Sequence, residues 1–219
     1  MTDTPKLLPA RTYQATTADT FLASAPTRGP WHPDHQHAGH FSAQLIVGDK
    51  EVARFTVLLQ RETDVVLPGT LADPALPLAF PGTDESMPAV FPFSGRHVGC
   101  ADLVETRVAH STFFGGPCAV WFRLRQPLLE GEAPSAYQRV AVAADSGNGK
   151  SAALDFSRYS FVNFDLTINL LRRPRGEWIG LDARTHLEPM GSGMAESALY
   201  NVQGLIGRAT QSLMPRARG

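Results

Sequence analysis

Two polar residues in the second half of the chain stand where a strand should be apolar. In 204–214, Gln211 alternates in step with Leu205, Ala209 and Leu213. In 177–187, Thr185 shares a face with Ile179, Leu181, Ala183 and Leu187. A buried amide or hydroxyl must find hydrogen-bond partners, so each belongs either to a structural network or to a site. A carboxylate, Asp165, lies in a third segment, 161–171. Alternation puts it opposite Phe164, Leu166, Ile168 and Leu170, where a solvated side chain is the ordinary reading and a general base the functional one.

A second group is the stretch WHPDHQHAGH, residues 31–40, which holds four of the seven histidines. On an irregular loop, two or three of His32, His35, His37 and His40 could converge on zinc. No cysteine accompanies them, however, and the helical H-E-x-x-H spacing is absent. The reading is a loop that binds no metal. GNGKS at 147–151 has the ending of a phosphate loop, but it follows a helix where such a loop follows a strand. No G-x-S-x-G elbow is present. The two cysteines, Cys100 and Cys118, read as buried structural thiols.

The elements that must position these residues follow from pattern. Val52–Leu59 has strand composition after the turn Gly48-Asp49-Lys50. Six prolines fall between 68 and 92, a density that suits an extended linker. Asp102–His110 and Cys118–Arg125 read as strands. Ser135 with Gln138 is a capping box that opens a helix through Ala144, and Ser146-Gly147-Asn148-Gly149 ends it. Four strands follow, 161–171, 177–187, 194–201 and 204–214, the last two joined by a tight turn at 201–204. Strand, strand, helix and four strands in meander order predict an α+β unit, either an antiparallel sheet wrapped around one helix or another α+β sheet that the same meander could serve.

Composition bounds the function. A length of 219 residues with 43% hydrophobic content supports one sizeable core or two small domains. A net charge of −1 gives no basic surface for nucleic acid. No apolar run approaches the ~20 residues of a membrane helix, and the start, MTDTPKLLPAR, has no signal-peptide core. With only two cysteines, the expectation is a cytoplasmic protein with reduced thiols, no nucleic-acid partner and no membrane association.

Residues 161–213 (FVNFDLTINLLRRPRGEWIGLDARTHLEPMGSGMAESALYNVQGLIGRATQSL) resemble the acyl-CoA thioesterase II-like family of tandem hotdog proteins. Residues 120–149 are similar to the same family's strand and central helix, and TRGPWHPDHQHAGH, 27–40, to the loop entering its first hotdog helix. The resemblance implies a hotdog fold in tandem, with a truncated N-terminal unit at 1–67, a proline-rich linker at 68–94 and a C-terminal hotdog at 95–219. FSAQLI runs almost directly into GDKEVARFTVLLQR, which looks like the last strands of the first unit; about forty residues are missing against a typical domain of ~100.

It further implies hydrolysis of an acyl-CoA thioester, with no cofactor. By position, Asp165 would be the general base, and Thr185 and Gln211 would hold the water. A slip of one residue would put His186 in the place of Thr185. His37, Gly39, Gly147 and Asn148 would be substrate-binding residues. The alternative is a non-catalytic hotdog protein that binds acyl-CoA or a partner subunit. A shortened first unit would leave a sheet face carrying Ile179, Leu181, Leu205 and Leu213 poorly covered, so a homodimer is expected.

The loop reading of WHPDHQHAGH has a direct test. A strong chelator is expected to leave the melting temperature and any activity unchanged. A fall in melting temperature that zinc reverses would make the histidines ligands.

Overall fold

The computed structural model of the chain describes residues 13–17, 20–23, 39–59, 66, 68, 76–90, 100–128 and 132–218. The chain folds as two units, Met1–Asp73 and Pro74–Gly219.

In the first unit, β1 (Tyr13–Thr17) pairs antiparallel with β2 (Thr20–Ala23), and β3 (Gly39–Val47) with β4 (Lys50–Leu59). The β3–β4 turn has two residues, and Gly48 takes the left-handed conformation, φ +66°, that a two-residue hairpin requires. Residues 31–38 of the histidine stretch, His37 among them, lie outside the described residues. Gly39 and His40 open β3.

The second unit runs β5 (Met87–Ala89), α1 (Cys100–Leu103), β6 (Val104–His110), β7 (Cys118–Leu124), α2 (Ala136–Ala144), α3 (Gly147–Ser151), β8 (Tyr159–Asn163), β9 (Thr167–Leu170), β10 (Ile179–Glu188), β11 (Ser192–Asn201) and β12 (Gly204–Ala217). Eight strands form one antiparallel sheet in the order β5-β6-β7-β10-β11-β12-β8, with β9 also on β12. The capping box of α2 is formed in both directions: Gln138 N donates to Ser135 Oγ at 3.2 Å, and Ser135 N donates to Gln138 Oε1 at 2.8 Å.

The inner sheet face packs on α2. Val120, Phe122, Ile179, Leu181, Leu199, Ile206 and Ala209 meet Val140, Ala143 and Ala144 there. Cys118 lies in this layer, and burial pushes its thiol up to about 11, so it is a neutral structural thiol. The outer face has a second core of Phe80, Ala119, Trp121 and Tyr200. Phe80 stands edge-on to Trp121, with ring centroids 5.3 Å apart, and to Tyr200 at 4.9 Å. Trp121 Nε1 donates to Pro81 O at 2.9 Å. A Cβ on Gly180 would lie 2.8 Å from the Trp121 ring and 2.9 Å from Phe80, so glycine makes room for both.

Several sequence expectations change here. In the stretch read as a linker, residues 76–90 lie on the second unit's sheet: Phe80 is buried, and β5 pairs with β6. Residues 100–103 form a short helix before the strand expected from 102. The expected strand 161–171 is two strands, β8 and β9. Ser146–Gly149 does not end the helical region, because the chain turns and resumes as α3. The face expected to be bare does not exist as one surface. Ile179, Leu181 and Leu213 are buried, and Ile179 and Leu181 pack against α2, whereas Leu205 lies on the outer face beside Phe80 and Tyr200. The cause is an irregularity in β12: Tyr200 pairs with Leu205 and Leu199 with Gly207, so Ile206 is an extra residue that takes the inner position.

The Phe80 strap predicts that Phe80→Ala lowers stability by about 3–5 kcal/mol in denaturant unfolding, as expected for a buried ring. A loss under 1 kcal/mol would mean that the strap only rests on the sheet.

Candidate active site

Backbone register alone aligns the polar residues. Thr185 on β10 pairs with Ala195 on β11, and Ala195 pairs with Gln211 on β12. Paired residues share a face, so Thr185 and Gln211 stand on the inner face about 10 Å apart, two strand spacings, with only a small alanine between them. Beyond β12 the edge strand is interrupted. Asn163 pairs with Leu213 and Thr167 with Thr210, so three residues, 164–166, oppose two, Gln211 and Ser212. This one-residue excess resets the alternation between β8 and β9. Asp165 lies in the interruption at the end of the Thr185–Ala195–Gln211 row. Its Oδ1 accepts from Ser212 N at 2.7 Å, and the residue is exposed.

Above the row lies α3. The Gln211 side chain is 2% exposed and is held at both ends. Its Oε1 accepts from Asn148 N at 3.1 Å, and its Nε2 donates to Asp145 O, at the C-cap of α2, at 3.0 Å. Thr185 Oγ1 shares a 2.7 Å hydrogen bond with Ser151 Oγ and lies 3.5 Å from Asn148 Oδ1. Ser151 Oγ donates to Gly147 O at 2.9 Å. With the Ser151 proton on Gly147 O, the single Thr185 proton serves Ser151 Oγ or Asn148 Oδ1. No described buried side-chain N or O atom lacks a partner.

Gly147 makes the close approach possible. A Cβ there would stand 2.9 Å from both Gln211 Oε1 and Ser197 Oγ. The loop after β6 holds the far end of α3. Phe114, in a left-handed conformation at φ +62°, donates its N–H to Lys150 O at 3.3 Å. The Lys150 ammonium sits 4.3 Å from the centre of the Phe113 ring.

Four of the sequence candidates, Thr185, Gln211, Gly147 and Asn148, therefore meet in one buried network. Asp165 ends the same row but makes its contact to the β12 backbone. Gly39 belongs to the first unit. His186, the alternative to Thr185, faces the other side of the sheet, 3.2 Å from Glu196 Oε1. Sequence reasoning missed Ser151 and Asp145. Their contacts span 34 and 66 residues, and no local pattern announces them. Among the described residues, no group of three or more His, Cys, Asp or Glu could hold a metal, and no helix is long and apolar enough to cross a membrane.

Comparison with known proteins gives the family. The family model for the acyl-CoA thioesterase C-terminal domain matches residues 64–214. An acyl-CoA thioesterase II of Mycobacterium marinum superposes with a TM-score of 0.55 at 16% identity, over 89% of this chain and 73% of that one. A hot dog-fold protein of Alicyclobacillus acidocaldarius gives 0.60 at 14% identity, over 91% and 73%. A tesB protein of Mycobacterium avium subspecies paratuberculosis gives 0.56 at 12%, over 84% and 68%. No curated protein sequence matches the chain. The fold is the hotdog fold, an antiparallel sheet around a central helix, as the sequence led us to expect.

The tight seat of α3 gives a test. Gly147→Ala should push α3 off the row, cost about 1–3 kcal/mol and lower the melting temperature. An unchanged melting temperature would mean that Gln211 and Ser197 yield freely.

Proposed function

Since the chain belongs to the acyl-CoA thioesterase C-terminal domain family, we propose that it hydrolyses an acyl-CoA thioester to free acid and CoA, with Asp165 activating the water. Asp165 takes a proton from water as the water oxygen bonds to the thioester carbon. The carbon–sulfur bond then breaks, and CoA leaves as a thiolate that takes up a proton. The observation that carries this reading is the row Gln211, Ala195, Thr185 across β12, β11 and β10, with Asp165 bonded to the β12 backbone in the break between β8 and β9.

Asp165 and Gln211 have hydrogen-bonding capacity left for a reactant. The Asp165 carboxylate accepts one bond at Oδ1 and has further lone pairs. The Gln211 amide uses one of its two N–H donors and one of two lone pairs. In this reading Gln211 and Thr185 orient the water, and Gly147 and Asn148 wall the site from above. His37 and Gly39 are assigned to the substrate loop on family resemblance alone. A polar row needs only water as co-reactant, so the proposal includes no cofactor.

One observation favours a second reading, a hotdog protein that binds acyl-CoA without hydrolysing it. Gln211, Asn148 and Ser151 are sealed from solvent, and the Thr185 hydroxyl already has a partner.

Release of free thiol from a panel of acyl-CoAs separates the two. Hydrolysis should be seen, and Asp165→Asn should lower turnover by ~10²-fold or more at an unchanged melting temperature. Full turnover in that variant removes Asp165 from the mechanism. Binding without thiol release makes the second reading correct.

A further inference from the structure

The β3–β4 hairpin of the first unit pairs with no other described strand, so both of its edges are open. Its register sorts its residues by kind. Ala43 pairs with Phe55 and Leu45 with Ala53, and Val57 and Leu59 continue the same side of β4. Alternation along β3 adds Val47 to that side. Ser42 pairs with Thr56 and Gln44 with Arg54 on the opposite side, where Ile46 and Leu58 also lie. There Gln44 Nε2 donates to Glu51 Oε2 at 2.7 Å, and Arg54 Nε donates to Glu51 Oε1 at 3.0 Å. The charges of that side are thus paired within the hairpin. The one charged strand residue that register puts on the apolar side is Lys50, at the turn.

This apolar side is open to water. Leu45, Phe55, Val57 and Leu59 are each between 45% and 51% exposed. Together they leave roughly 400 Å² of surface bare, a patch of the size that marks an association site. A two-stranded hairpin is marginal in water by itself and needs a covering layer. Between its ends the face carries no charge for a partner of opposite sign to read, and a two-fold axis sets such a patch against itself. Two copies of it, with the exposed Val47 of each, bury about 1,000 Å² in total, where specific interfaces begin. An axis across the strands points the two turns opposite ways. The strands then stay aligned, as in other packed sheets, and the two Lys50 ammoniums stand at opposite ends of the contact.

We infer that the apolar side of the β3–β4 hairpin is a homodimer interface, on which the same hairpin of a second copy packs face to face about a two-fold axis. The interface goes beyond the thioesterase reading and does not depend on it.

Light scattering of the full chain across micromolar concentrations tests it. The expected mass is twice the 23.7 kDa of one chain. Phe55→Lys should raise the dissociation constant about a hundredfold or more, because the new charge would be buried without a partner. Thr56→Lys, on the opposite side, should leave the dimer intact. Crosslinking guards against loss of fold in Phe55→Lys. Ala43→Cys, treated with a short bis-maleimide, should give a covalent dimer beyond the level of the native chain, and Ser42→Cys should not. A monomer at every concentration would overturn the interface. So would a dimer that Phe55→Lys leaves whole or Thr56→Lys breaks equally, or equal crosslinking at 42 and 43. None of these readouts involves thioester cleavage, so the interface and the thioesterase reading stand or fall separately.

Discussion

The second unit is organised around one buried amide. A carboxamide without partners inside a core costs more than the hydrophobic gain its methylenes bring, so Gln211 can be buried only if both of its ends are met. The two partners come from the C-cap of α2 and from the second residue of α3. One side chain thus fixes where the central helix stops and where the next turn begins, relative to β12. The row beneath inherits that spacing. Thr185 meets Ser151, and Ser151 meets Gly147, only because α3 is seated at this height. A hydrophobic residue at 211 could fill the volume but would leave the position of α3 undetermined.

The outer face is held by a different kind of force. Phe80 and Trp121 bury large rings, and the contact works because Gly180 offers no side chain beneath them. At the margin of this face, Arg107 and Arg123 lie over the Trp178 ring at 5.0 and 4.8 Å. Glu105 joins them, and hydrogen bonds from Arg123 first, then Arg107, hold its carboxyl below the usual range. The sheet is thereby dressed on both sides within the second unit, one side by helices and the other by a strap of irregular chain.

Much of this is legible in the sequence, and the failures share a cause. The capping box at Ser135, the hairpin at 201–204 and the shared face of Thr185 and Gln211 are local signals, and the structure has them all. Alternation breaks at one additional residue between Asn163 and Thr167, for which the sequence carries no mark; Leu166 and Ile168 still reach the inner core, and Asp165 stays exposed against the β12 backbone. Alternation puts Leu205 on the wrong side for the same reason, at Ile206. The proline-rich segment misleads differently. Prolines lack donors, but their carbonyls still accept, and Pro81 O receives the Trp121 indole. Ser151 and Asp145 are invisible in the sequence because their roles exist only once distant segments meet.

The tip of the β11–β12 hairpin carries an evolutionary consequence. Turn tips ordinarily drift in sequence and accept insertions, since little touches them. This one is pinned: Leu205 N donates to Leu76 O at 2.9 Å, and a Cβ on Gly204, already at φ +130°, would collide with that oxygen at 2.1 Å. Only glycine fits there, and a longer turn would dislodge the strap that shields Trp121. The β10–β11 turn is the contrast, with Met190 94% exposed and nothing near Gly191. Lineages of this domain should therefore vary in length at 189–191 and stay fixed at 202–204, reversing the usual expectation that equivalent hairpins diverge alike.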